Sequence, residues 1–146
     1  MGPLAEVILL VEDESSDAHL LQRAFQKAQV PARIIRVANG DEAIAYLTGR
    51  EPWNRKQHPL PGIIMMDIKL PRRSGFEVLE WLRDQEDLRR IPVVMLSSSP
   101  LPHDVNRAYD LGANSYLTKP QDPEKFVRLA CAFRDYWLGT NVDPAV

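Results

Sequence analysis

Val7-Ile8-Leu9-Leu10-Val11-Glu12-Asp13 and Ile63-Ile64-Met65-Met66-Asp67 follow one rule: a short apolar run stops abruptly at acid. A run that is apolar at successive positions suits a strand buried on both faces, which is the habit of parallel sheets. Three more runs extend the pattern, at 34–37, at 93–96 and, more weakly, at 115–118. Between them apolar residues recur at helical spacing. Leu20, Leu21, Ala24, Phe25 and Ala28 form one stripe, and Ala43, Ile44 and Leu47 a second. Val78, Leu79 and Leu82 form a third, Val105, Ala108 and Tyr109 a short fourth. Phe126, Leu129, Ala130, Phe133 and Trp137 form a fifth. Ser74-Gly75-Phe76-Glu77 fits a capping box, and Asp122 stands as a capping carboxylate before Pro123. Strand-then-helix units in this order predict an α/β fold with a parallel sheet and helices on both faces.

A chain of 146 residues is enough for about one domain, and no internal repeat or second domain is expected. Its 45% apolar and 26% charged residues are those of an ordinary globular protein. A net charge of −2 gives no bulk electrostatic case for nucleic acid or a membrane surface, so neither is expected as a partner. The run 7–11 is too short to span a bilayer, and it lacks the flanks of a signal peptide. Cys131 stands alone and cannot form an internal disulfide, which suits a reducing, cytoplasmic location. His19, His58 and His103 are scattered and make no zinc spacing. Two segments exceed the minimum: the loop 48–61, with prolines at 52, 59 and 61, and the tail after Trp137.

In an open parallel sheet, ligands bind beyond the carboxyl ends of the strands. Here those ends carry Glu12-Asp13-Glu14, Asp67, Ser97-Ser98-Ser99 and Lys119-Pro120. Glu12, Asp13 and Asp67 cannot stay ionised together without a counter-charge, and a hard divalent cation such as Mg²⁺ supplies one. Glu14 reads as an ordinary acid near a helix start. Lys119 could reach an anion as a point charge, and Ser97 could donate one hydrogen bond to it. Either alone is usually a loop or turn residue. Together with the acids, the set suggests a phosphoryl group bridged to metal, lysine and hydroxyl.

These residues resemble the receiver domain of two-component response regulators. The matching pieces are Leu9-Leu10-Val11-Glu12-Asp13, Met65-Met66-Asp67-Ile68-Lys69-Leu70-Pro71, Ser74-Gly75-Phe76-Glu77-Val78-Leu79, Ile91-Pro92-Val93-Val94-Met95-Leu96-Ser97 and Gly112-Ala113-Asn114-Ser115-Tyr116-Leu117-Thr118-Lys119-Pro120. The resemblance implies a doubly wound, flavodoxin-like sheet of five parallel strands in the order 2-1-3-4-5. It implies a receiver over residues 5–138 and a C-terminal tail over 139–146. Asp67 matches the phosphoacceptor, and Asp13 a direct Mg²⁺ ligand. Glu12 matches the second acid, which often acts through water. Lys69 matches the position whose backbone carbonyl completes the metal shell. Ser97 matches the switch hydroxyl, Tyr116 the switch aromatic, and Lys119 the phosphate-pairing lysine, with a typically cis bond to Pro120. Lys69 and Ser99, each two residues past a site residue, match positions that tune the lifetime of the phosphoryl group.

The implied activity is a switch that catalyses only its own phosphorylation and dephosphorylation. Asp67 would take the phosphoryl group from a sensor histidine kinase. The long loop and the ending Phe133-Arg134-Asp135-Tyr136-Trp137-Leu138 look like stand-alone regulators paired with bacterial phytochromes, so a bacteriophytochrome is the kinase this points to. Trp137 and Leu138 lie past the expected core stripe, which predicts a symmetric homodimer through the fourth helix, fifth strand, fifth helix and tail. Two other readings compete. A haloacid-dehalogenase-like phosphatase also uses a strand-end aspartate with Mg²⁺, but needs a second aspartate where Lys69 stands. An unphosphorylated adaptor receiver need not retain Asp67, Asp13 and Lys119.

Overall fold

The computed structural model describes residues 7–144, so the residues at 5, 6, 145 and 146 assigned above to the receiver and its tail lie outside it. Five strands alternate with five helices: β1 Val7–Val11, α1 Ser15–Lys27, β2 Arg33–Val37, α2 Gly40–Thr48, β3 Ile63–Met66, α3 Gly75–Arg83, β4 Val93–Ser97, α4 Pro102–Asp110, β5 Ser115–Thr118 and α5 Pro123–Trp137. The strands pair in parallel in the order β2-β1-β3-β4-β5, as expected.

Alternation along each strand divides the core into two halves. Leu9, Val11, Ile64, Met66, Val93 and Met95 point to one face and pack with Leu47 of α2, Leu79 and Leu82 of α3 and Ala108 of α4. Ile8, Leu10, Met65, Val94 and Leu96 point to the other and pack with Leu21 and Phe25 of α1 and with Phe126 and Phe133 of α5. The Phe25 and Phe133 rings lie 5.3 Å apart and tie α1 to α5. The central strands β1, β3 and β4 are buried throughout, whereas the edge strands are only half covered. The fourth stripe is narrower than its spacing suggests: Ala108 is buried, but Tyr109 faces solvent.

Both sequence-read helix starts form. Ser74 accepts from the Glu77 amide while the Glu77 carboxylate accepts from the Ser74 amide. Asp122 accepts from the Lys125 amide. The loop 48–61 is packed rather than loose. Gly49 ends α2 at φ 74°, a left-handed conformation that glycine adopts freely. Trp53 then lies 5.3 Å from the Tyr46 ring and 5.0 Å from His58. The fully buried Tyr46 donates its hydroxyl to the Pro59 carbonyl at 2.7 Å, and Arg55 donates to the Tyr46 and Leu47 carbonyls at the end of α2.

Candidate functional site

Sheet register sets the site. Val11 lies opposite Met66, so the next residues, Glu12 and Asp67, leave adjacent strands side by side. Ser97 lies opposite Thr118, which places Lys119 one step beyond, and its amide donates to the Ser97 carbonyl at 2.8 Å. The Asp67 amide donates to Val11 O at 3.1 Å, while one carboxylate oxygen of Asp67 accepts the Ile68 amide at 2.7 Å. Gly75 allows this turn to close. A Cβ there would stand 2.1 Å from the Asp67 carbonyl oxygen.

Glu12, Asp13 and Asp67 each offer a carboxylate oxygen, and these oxygens lie within 4.8 Å of one another. Glu12 and Asp67 are buried, while Asp13 is exposed. Three carboxylate oxygens are a hard donor set, of the kind that a divalent cation such as Mg²⁺ takes, and their closeness fits a single ion. Lys119 Nζ forms ion pairs with Glu12 at 2.6 Å, Asp67 at 2.8 Å and Asp17 at 3.0 Å. Burial alone would lower the Lys119 pKa, but hydrogen bonds to Asp67, Glu12 and Asp17 outweigh it and raise the pKa. Burial raises the Glu12 pKa, and Lys119 and the Glu14 amide only partly oppose it.

Ser97 is buried and accepts the Ser99 amide at 3.2 Å. Ser99 in turn donates its hydroxyl to Asp104 at 2.6 Å, and its carbonyl accepts the Tyr116 hydroxyl at 2.7 Å. The candidate switch residues thus share one hydrogen-bonded turn leading to the start of α4. Lys69 is exposed at the rim. The peptide before Pro120 is not cis, against what the resemblance implies; among the described residues the cis bond is Glu51-Pro52. Trans is the lower isomer for such bonds by about 0.5–1 kcal/mol, and Lys119 reaches its three carboxylates from it.

Two participants escaped the sequence reading. Asp17, in the first turn of α1, reaches Lys119 across 102 positions of sequence. Its signal was its place four residues after Asp13, one helical turn on, but it read as an ordinary first-turn acid. Arg36 donates to the carbonyls of Glu12 at 2.9 Å and Asp13 at 3.1 Å, fixing the β1–α1 turn. Nothing in the sequence near Arg36 marks it.

The response regulator receiver domain family matches residues 8–130. The probable methanogenesis regulatory protein FilR2 of Methanothrix harundinacea is 40% identical over 94% of this chain and 87% of its own. The phosphorylated cyanobacterial phytochrome response regulator RcpA superposes with a TM-score of 0.87 at 34% identity, covering 96% of this chain and 99% of its own. The Mn(2+)-bound form of response regulator Rcp1, a Synechocystis protein, gives 0.85 at 34% identity over the same shares. These matches decide against the haloacid-dehalogenase-like reading. The acidic cluster at the carboxyl edge of this five-stranded parallel sheet is consistent with a divalent cation site, and the chain belongs to the response regulator receiver domain family.

Proposed function

We propose that Asp67 is the phosphoacceptor of this receiver, that Mg²⁺ is its cation, and that a sensor histidine kinase is its donor. The observation that carries this is the Lys119 ammonium, held 2.8 Å from Asp67 beside the Glu12 and Asp13 carboxylates. As Lys119 turns from Asp67 Oδ2 to the incoming phosphoryl group, that oxygen attacks phosphorus in line, and the phosphohistidine nitrogen leaves. Lys119 donates to a phosphoryl oxygen as charge builds there. Asp13 and Asp67 side chains and the Lys69 carbonyl would hold the Mg²⁺, with Glu12 acting through its water; the ion supplies neutralising charge for the equatorial oxygens. Ser97 turns toward the phosphoryl group, its bond to the Ser99 amide breaks, and Tyr116 is freed to swing inward. Lys69 and Ser99 set the lifetime of the aspartyl phosphate. The hydroxyl of Ser99 is engaged by Asp104, so shielding from water falls mainly to Lys69.

We assign the receiver to residues 5–138; the end of α5 at Trp137, with Leu138 as its cap, supports the second of these bounds. The likeness to a phytochrome response regulator supports a bacteriophytochrome as the kinase. The test is acetyl phosphate with Mg²⁺ and intact-mass analysis. The parent should gain one acid-labile phosphoryl group and Asp67→Asn none. Equal incorporation in the variant would falsify the assignment.

A further inference from the structure

An ammonium has three N–H donors, and those of Lys119 meet three carboxylates: Glu12, Asp67 and Asp17. Two of these acids, Glu12 and Asp67, belong to the set of three that can hold a divalent cation. Lys119 and the cation therefore compete for the same two carboxylates. Their like charges also repel, and Lys119 is too buried, at 9% exposure, for water to screen them fully. Among the described residues Asp17 is the one partner of Lys119 outside the cation set, and with 31% of its side chain exposed it lies on the solvent side. It sits in the first turn of α1, where the helix end favours a negative charge.

From this geometry we infer that Asp17 is a positioning residue, which retains the Lys119 ammonium while Glu12 and Asp67 turn to the cation. The inference rests on the cation and phosphoacceptor reading above and adds a group that reading does not use. With Asp17 in place, Lys119 gives up its bond to Glu12 and stays close enough to Asp67 to meet an incoming phosphoryl oxygen. Without it, Lys119 keeps its hold on Glu12 and Asp67, and the cation must displace an ammonium that has no other anion to go to. A purely structural role for Asp17, tying α1 to the end of β5, would affect stability but not this competition.

The experiment titrates Mg²⁺ into the full chain and follows amide NMR shifts of residues 12–14 and 67–69. It compares the parent, Asp17→Asn, Lys119→Ala and the double variant, with a thermal melt of each. An ammonium that no longer has Asp17 to go to competes harder for Glu12 and Asp67, so Asp17→Asn should weaken the Mg²⁺ Kd by about three- to tenfold. Since Asp17 acts through Lys119, the same change should move Kd by less than about twofold in the Lys119→Ala background, as a double-mutant cycle measures. A lower melting temperature with an unchanged Kd would reduce Asp17 to a structural tie and overturn the inference. An equal weakening in both backgrounds would overturn it too, because Asp17 would then act on the cation directly. A parent whose amides do not respond to Mg²⁺ would remove the cation reading along with it, whereas a responsive parent matched by Asp17→Asn removes only the role of Asp17.

Discussion

Lys119 carries the one ammonium among four carboxylates, those of Glu12, Asp13, Asp17 and Asp67. Such an excess of negative charge costs stability and is retained for what it binds. Asp13 contributes to that excess without a bond to Lys119, so Asp13→Asn should raise Tm by about 1–4 °C, equivalent to roughly 0.5–1 kcal/mol for a domain of this size. The same variant should lose most of its Mg²⁺ affinity, and a titration beside a thermal melt checks both. Glu12 gives a pH dependence whose sign follows from its raised pKa. As pH falls, the folded state takes up the Glu12 proton before the unfolded state does at the ordinary 4.5, so this group favours folding at lower pH. Lys119→Ala removes the partner that opposes this shift. The stability deficit of Lys119→Ala relative to the parent should therefore shrink between pH 7 and pH 5, as urea midpoints would show. A deficit that grows over that interval would contradict the assigned environment of Glu12. Lys119 itself, with its pKa raised, contributes fully below the ordinary lysine value of 10.5, so its own titration does not enter this window.

At the scale of elements, the helices hold the strand ends in place. α3 does so by contact: its first residue, Gly75, donates to the Ile68 carbonyl at 2.8 Å and leaves no room for a Cβ against Asp67. Gly75→Ala should push the Asp67 turn outward and cost about 1–3 kcal/mol, the usual range for forced overpacking. Phosphorylation by acetyl phosphate should fall with it, and a variant as stable and as readily phosphorylated as the parent would show that the turn can yield. The capping box beside Gly75 was legible because Ser74 and Glu77 interact locally. The approach of Gly75 to Asp67 was not, because it depends on how α3 packs on the sheet. The loop 48–61 shows the same division. Its prolines announced an irregular segment, but the tilted contact of Trp53 with Tyr46 and the carbonyl contacts of Arg55 arise only once α2 has docked.

For the whole molecule, the large apolar side chains most exposed among the described residues are Leu101, just before α4, Tyr109 on α4, Tyr136 on α5 and Val142 in the tail. Trp137, expected outside the core, instead packs partly against it, and Tyr136 meets it edge-on at 4.9 Å. For the homodimer expected from the sequence, the exposed candidates are therefore Leu101, Tyr109 and Tyr136 rather than Trp137. Sedimentation of the parent and of Tyr136→Ser, with and without acetyl phosphate, checks it. Dimers that phosphorylation strengthens and the variant weakens are expected; a parent that stays monomeric at high micromolar concentration in both states rules the proposal out. The strand and helix periods, the caps and the acids at strand ends could be read from sequence, because each depends on neighbours a few residues away. Strand order and site membership followed through the family likeness of those same motifs. Tertiary structure alone decided that Asp17 and Arg36 join the site, that Tyr109 faces water and that Trp137 turns inward. Those outcomes depend on which residues, far apart in the chain, the packing of helices on the sheet brings within bonding distance, and a local pattern carries no trace of that.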